Sequence, residues 1–371
     1  MKSKEIIEEL LEHADVKING DRPWDMKVHN EKTFDRIISN PSLGLGESYM
    51  DKWWDCEDLD TFFYKLLDAK LNYKLKGDFK LAIWTFGRFL INQQTKKKSK
   101  EVGEIHYDVG NKLYERMLDK RMTYTCGYWK DAKDLDEAQE AKLDLICKKV
   151  GLKPGMKVLD IGCGWGSFLQ YAAEKYGIEG VGVTISKEQV ALGQERVKGL
   201  PVEIRFQDYR DVTEEFDAIV SVGMFEHVGP KNYRTFMKQV DKNLKEDGLF
   251  LLHTIGNHFT KTIGGDPWLN KYIFPGGIIP SQTQIMKSTE KIFLMEDWHN
   301  FGNDYSLTCK AWHDNFKSHW DELKQDYDER FYRMWSYYLL SCVGSFKARN
   351  VQLWQIVMSK NGLKGGYDSI R

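Results

Sequence analysis

The chain has 371 residues, of which 42% are hydrophobic and 29% charged, which excludes a disordered chain and leaves room for two domains. Lys and Arg number 54 against 55 Asp and Glu, so a dedicated nucleic-acid binder with a wholly basic surface is excluded and no nucleic-acid partner is expected. No apolar run reaches the roughly 18 residues of a membrane span, the first residues lack the apolar core of a signal peptide, and six scattered cysteines with no CxxC pair read as free thiols of a cytoplasmic protein.

Residues 1 to about 70 mix short helical patterns with an expected Gly-rich turn, Leu43-Gly44-Leu45-Gly46, followed by the aromatic cluster Trp53, Trp54, Phe62, Phe63 and Tyr64. From Lys70 to Lys100, nine Lys and Arg stand against Asp78 alone. Within this stretch Phe79, Ile83, Phe86 and Leu90 recur at helical spacing. A cationic amphipathic helix of this kind can lie on an anionic lipid surface; the plainer reading is a solvated linker with a core-facing helix.

From about residue 101 the character changes. A helix is predicted from Leu135 to Val150, with Ala138, Leu143, Ile146 and Cys147 on one side. Strands are predicted over residues 157–161, 181–185, 202–206, 216–222 and 249–255, alternating with helices over 168–176, 187–197 and 233–244. That alternation predicts an α/β fold, a doubly wound and mostly parallel sheet with both faces covered, preceded by a smaller, mainly helical domain. The division expected is 1–95 and 101–371.

The best-defined motif closes the first of these strands: Asp160-Ile161-Gly162-Cys163-Gly164-Trp165-Gly166. Glycines at a strand-to-helix turn let the backbone approach a ligand with no Cβ in the way. The spacing is GxGxG, not the dinucleotide GxGxxG, and there is no Walker lysine. The string DxGxGxG in this setting resembles the first motif of S-adenosylmethionine (AdoMet)-dependent methyltransferases, whose sheet is Rossmann-like. That resemblance implies a loop packed on the methionine and ribose of AdoMet, with Asp160 holding its amino group directly or through water. Many of these enzymes place an acidic residue at the end of the second strand. Here the segment reads Val183-Thr184-Ile185-Ser186, so the ribose contact falls to Thr184 and Gln189. Gln207 or Asp208 would meet the adenine amino group, and Tyr209 its face.

Strings outside the loop narrow the resemblance. They are residues 42–51 (SLGLGESYMD), 106–111 (HYDVGN), 124–129 (YTCGYW), 221–229 (SVGMFEHVG), 251–256 (LLHTIG), 266–275 (DPWLNKYIFP) and 296–300 (EDWHN). In this order, over nearly the whole chain, they are similar to those of the cyclopropane-fatty-acyl-phospholipid synthases, bacterial enzymes that add a methylene across a cis double bond of membrane lipids. The match includes an N-terminal block that the related mycolic-acid cyclopropane synthases lack.

The resemblance implies AdoMet as cosubstrate and a bound bicarbonate ion as proton acceptor. The bicarbonate would be held by Cys126, Glu226, His253, Tyr305 and the backbone of Ile255. Cofactor contacts would extend to Tyr124, Thr125 and Ile185, beside Gly162, Gly164 and Gly166. It further implies an unsaturated phospholipid acyl chain as substrate and a homodimer, and the charge asymmetry of the basic stretch points to reversible peripheral association of residues 1–95 with the anionic inner face of the cell membrane. The residue types suit an anion site, since His and Tyr donate to an oxyanion, while Glu orients the His or accepts from the acid form.

Other readings stand beside these. Cys126 could be a small buried residue, and His253 a satisfied core histidine. Glu226 and His227 are adjacent, and on a strand they would face opposite ways. Tyr124, Trp129, Trp268, Tyr272 and Phe274 could line an acyl channel, meet a transient cation face-on, or pack a core. The helical stripe Phe331, Met334, Trp335, Tyr338, Leu339, Cys342 and Phe346 reads as core or lid packing. No pair among His106, His227, His253 and His299 has metal-ligand spacing, so no metal is expected. The alternatives to cyclopropanation are a related AdoMet enzyme that methylates an unsaturated lipid, or a small soluble acceptor, without ring closure, and a lipid-binding module whose glycine loop does not catalyse.

Overall fold

Residues 157–161 run KVLDI, and Val158 and Leu159 are both buried although neighbours on a strand face opposite ways. Such a strand needs cover on both sides. The structure, a computed structural model describing residues 3–70, 110–260 and 265–371, provides it. We number the strands of the main sheet β1 (Lys157–Ile161), β2 (Glu179–Thr184), β3 (Val202–Phe206), β4 (Phe216–Val222), β5 (Leu244–Gly256), β6 (Leu294–Asn300) and β7 (Gln352–Ser359).

The spatial order is β3-β2-β1-β4-β5-β7-β6. The pairs from β3 to β5 are parallel, and β7 lies antiparallel between β5 and β6. Leu159, Ile219, Phe250 and Leu252 point into one core with Tyr233, Phe236 and Met237 of the helix Tyr233–Asn243. Val158, Ala218, Val220 and Leu251 point into the other, with Phe168, Leu169 and Ala172 of the helix Ser167–Tyr176 and Leu143 and Ile146 of the helix Leu135–Lys149. The chain leaves β1 toward one edge and returns beside it at β4. This reversal of direction opens a crevice at the carboxyl ends of β1 and β4, where open α/β sheets bind ligands.

The described residues form two units. One draws on Met1–Ile91, Ile263–Pro275 and Tyr305–Val351, the other on Asn92–Thr262, Gly276–Asp304 and Gln352–Arg371. A single cut between residues 95 and 101 therefore does not describe them, because two later segments join the N-terminal residues. The first unit is mainly helical, with one short antiparallel pair, Lys27–Val28 with Trp54–Asp55. The basic stretch after Lys70, with its predicted helical stripe, and residues 106–109 lie outside the described residues. Among the described residues no helix is long and apolar enough to cross a membrane.

The expected turn at Leu43–Gly46 is instead part of the helix Pro41–Met50. A Cβ at Gly44 would strike the Arg36 backbone, and one at Gly46 the Trp268 indole. These glycines allow close packing and do not mark a turn. The aromatic stripe expected over 331–346 lies on the helix Glu329–Lys347, with Trp335, Tyr338, Leu339 and Phe346 buried. That helix crosses the helix Leu59–Asp68 at Gly344, where a Cβ would sit 2.5 Å from Phe63 Cβ and 2.6 Å from the Tyr64 backbone nitrogen. Gly344→Ala should therefore destabilise this unit by about 1–3 kcal/mol through overpacking, measured as a lowered midpoint in denaturant unfolding.

Candidate functional site

The glycine loop forms as its composition demands. Gly162, Gly164 and Gly166 have φ of 84°, 55° and 81°, the left-handed region that residues with a Cβ rarely adopt. The Gly162 and Cys163 N–H groups donate to the Val183 carbonyl at 2.9 and 3.2 Å, which ties the loop to β2. A Cβ on Gly162 would lie 2.6 Å from Met224 Cβ, so the turns following β1 and β4 abut. A Cβ on Gly164 would meet nothing within 4 Å. The loop thus presents open backbone at the crevice.

Around this crevice lie buried polar atoms with no hydrogen-bond partner among the described residues: Asp160 Oδ1, Glu226 Oε2, His253 Nε2 and Gln355 Oε1. Each such atom costs about 1–3 kcal/mol, and their grouping at the carboxyl edges of β1, β4 and β5 marks a place built to receive a polar ligand. Burial pushes Asp160 up to about 7, against the opposing pull of the Lys142 ammonium. Burial likewise pushes Glu226 up to about 7, opposed by the Ile255 N–H, which donates to Glu226 Oε1 at 2.6 Å. His253 is held well below the usual imidazole range by burial and by the nearby charges of Lys142 and Lys149 and the His299 ring.

The structure brings Glu226, His253 and Ile255 into one neighbourhood. Glu226 sits in the 3-10 turn Phe225–His227 that follows β4, and its carboxylate meets β5 at Ile255, two residues beyond His253 and so on the same face. This separates Glu226 from His227, whose burial lowers its ring to about 4. Cys126 is fully buried, its Sγ donating to the Gly127 carbonyl at 3.1 Å. Tyr305 belongs to the other unit, where its ring stacks on Phe346. The aromatics considered for an acyl channel also divide: Tyr124 and Trp129 lie in the unit of the sheet, and Trp268, Tyr272 and Phe274 in the other.

The remaining predicted contacts have local partners. Thr184 Oγ1 donates to Gln189 Oε1 at 2.7 Å, and Ile185 follows in the half-buried turn after β2. Both carboxylate oxygens of Asp208 accept from the Arg210 guanidinium, at 2.8 and 2.5 Å, so this acid anchors its own turn. Gln207 donates its backbone N–H to the Thr184 carbonyl. The Tyr209 ring packs edge-on against Phe236, and the Tyr124 ring lies against Tyr114. Among the described residues no group of three His, Cys, Asp or Glu side chains could hold a metal ion.

Two residues near the site escaped the sequence reading. Lys142 is fully buried, donates to Thr125 Oγ1 at 2.8 Å, and is brought down to about 8 by burial, with Asp119, Cys126 and Asp160 opposing. The signal was present: Lys142 falls four residues from both Ala138 and Ile146, on the apolar side of its helix. Gln355 bonds to His253 from β7, and no local pattern marks it.

The raised Asp160 gives a signed pH dependence. Between its ordinary value of 3.8 and about 7 the folded chain binds a proton that the unfolded chain has lost, so stability falls as pH rises through that window. Asp160→Asn removes this loss. The variant should be more stable than the parent by about 4 kcal/mol at pH 8, with the gain shrinking toward pH 4, as read by denaturant unfolding at both values.

Comparison with known proteins places this geometry. The family model for mycolic acid cyclopropane synthetase matches residues 93–356. The chain is 55% identical over 362 residues to the cyclopropane-fatty-acyl-phospholipid synthase of Escherichia coli (strain K12), covering 97% of this chain and 94% of that one. Among solved structures it is similar to the cyclopropane synthase MmaA2 from Mycobacterium tuberculosis, with a TM-score of 0.67 at 30% identity over 70% of this chain and 98% of that one. It is also similar to the mycolic acid cyclopropane synthase CmaA1 complexed with SAH and CTAB, with a TM-score of 0.66 at 31% identity and the same coverage. With the family model covering well over half of its length and a relative of high identity nearly end to end, the chain belongs to the mycolic acid cyclopropane synthetase family.

Proposed function

We propose that this protein transfers a methylene group from AdoMet to the cis double bond of unsaturated acyl chains in membrane phospholipids, forming cyclopropane fatty acids. The observation that carries this is the 55% identity with the E. coli phospholipid enzyme across 97% of the chain. The likeness to the mycolic acid enzymes spans only 70%, so the phospholipid relative also matches the residues those lack.

The residues present fit the groups this chemistry needs. The open backbone at Gly164 and the unpartnered Asp160 carboxyl suit the charged methionine end of AdoMet. Glu226 Oε2 and His253 Nε2, both buried and unpartnered, suit a small oxyanion such as bicarbonate, with the buried Cys126 as a further holder. The Ile255 N–H is engaged by Glu226, so in this arrangement Ile255 positions Glu226. Bound there, bicarbonate would supply a proton acceptor.

In the reaction the alkene π pair takes the sulfonium methyl while the C–S bond pair returns to sulfur. A proton then leaves the added methyl, and its C–H pair closes the ring onto the cationic carbon. The chain's own residues prepare this step. Asp160 is ionised beside a cationic ligand, since an opposite charge favours its charged form. His253 stays neutral under Lys142 and Lys149 and so does not add charge next to a carbocation. The burial of Cys126, Glu226 and His253 would limit the water able to trap it.

Membrane contact is assigned to the N-terminal unit and to the basic stretch, where nine cations against one acid between Lys70 and Lys100 would contribute roughly 1 kcal/mol each at an anionic surface. The working location is the cytoplasmic face of the membrane, and the working assembly a homodimer.

Mass spectrometry of anionic phospholipid vesicles incubated with the protein and methyl-deuterated AdoMet should show a gain of CD2 in unsaturated acyl chains, at a rate that falls as salt is raised. A gain of CD3 would mean methyl transfer without ring closure and would overturn the proposal. Gly164→Ala adds a methyl where the fold leaves open space. It should lower stability by only about 1 kcal/mol yet weaken AdoMet binding at least tenfold by calorimetry.

A further inference from the structure

We propose that Gln355, directly opposite His253 on the neighbouring strand, is a positioning residue that keeps the His253 proton on Nε2, aimed at the ligand. The inference rests on the reading of His253 as a site residue. In the antiparallel pair of β5 and β7, His253 and Gln355 are register partners, so their side chains share one face. Gln355 Nε2 lies 3.2 Å from His253 Nδ1, and both residues are buried.

The direction of this bond follows from what each choice leaves unpaired. With the amide N–H donating, His253 Nδ1 is the acceptor and the ring proton sits on Nε2; Gln355 is left with an unpaired carbonyl oxygen. With the amide reversed, a buried NH2 would be orphaned, and unpaired buried N–H groups are rarer than under-satisfied carbonyls. Only the first arrangement gives His253 a donor at Nε2, the atom that is buried and without a partner among the described residues, and an oxyanion needs a donor there.

The surroundings support a neutral ring. Lys142 from the helix Leu135–Lys149, Lys149 at the end of the same helix and His299 of β6 all act against a second proton on His253, and Phe301 covers it from the side. His299 is itself the register partner of Gln355 on its other flank and accepts from Lys149 at 3.0 Å. Gln355 therefore stands between two neutral imidazoles, and an uncharged donor at this position leaves both uncharged.

The test is a long-range proton–nitrogen NMR spectrum of the full-length protein labelled at histidine ring nitrogens, with His253 assigned by its loss in His253→Gln. The expected spectrum shows neutral His253 protonated at Nε2 from pH 6 to 8. Gln355→Glu, which can only accept, should move the proton to Nδ1 or give the imidazolium. It should lower kcat about a hundredfold with AdoMet affinity within twofold, as expected when a supporting partner sets the wrong tautomer. Gln355→Met should remove the hydrogen bond accepted by Nδ1, seen in that nitrogen's shift, and lower kcat about tenfold.

A wild-type His253 protonated at Nδ1, or a Gln355→Glu protein with Nε2 protonation and kcat unchanged, would overturn the inference. If Gln355→Glu does not fold, the wild-type spectrum and Gln355→Met decide. Full turnover in His253→Gln would instead overturn the site reading itself.

Discussion

Polar groups taken out of water without partners are the constraint on which the site depends. Asp160, Glu226, His253 and Gln355 each hold a buried polar atom that no other described residue satisfies. Buried carboxylates elsewhere are paired: Asp25 accepts from the Lys17 and Arg22 backbone and from the Arg22 side chain, and Asp297 takes Arg371 and Ser369. The sheet creates the difference. Strands covered on both faces leave only their ends open, and the reversal of strand order between β1 and β4 opens a crevice at their carboxyl ends. Polar groups delivered to that gap are enclosed without being completed.

The electrostatics follow from the same enclosure. Two carboxyls rise to about 7, a lysine falls to about 8, and a histidine is held neutral. The carboxyl and lysine shifts oppose folding at neutral pH and favour a ligand that restores the missing partner, the usual exchange of stability for function at a site. Lys142 connects these groups. Its charge favours ionised Asp160 and disfavours charged His253, so one ammonium biases the two groups in opposite senses. The helical unit obeys a different demand. Gly44, Gly46 and Gly344 lie where a Cβ would strike a backbone or a ring, and its aromatic side chains pack around those close approaches.

Much of the sheet was legible in the sequence. Strands β1 to β5 and their helices came from local apolar runs and turn residues, and the helix Leu135–Lys149 was expected to within a residue. Strands β6 and β7 were not. β6 carries Glu296, Asp297 and Asn300 among its seven residues, which hides its period. β7 lies far from β5 in sequence, and its place depends on pairing, not on pattern. The Gly-rich segment 43–46 shows the opposite failure: glycine marks a turn by backbone freedom but also marks a packed helix by the absence of a side chain, and composition does not separate the two.

By itself the sequence determined the glycine loop, because three positive-φ positions in one short turn require residues without a Cβ, and it placed Asp160 at the mouth of that loop. It also determined the family, through long and unusual strings kept in order. The tertiary structure decided which neighbours those residues meet. The Ile255 N–H faces Glu226 across 29 residues, and Gln355 faces His253 across 102. Contacts between residues so distant along the chain leave no periodic trace in either segment, because they are set by strand register and burial, which exist only once the sheet has closed.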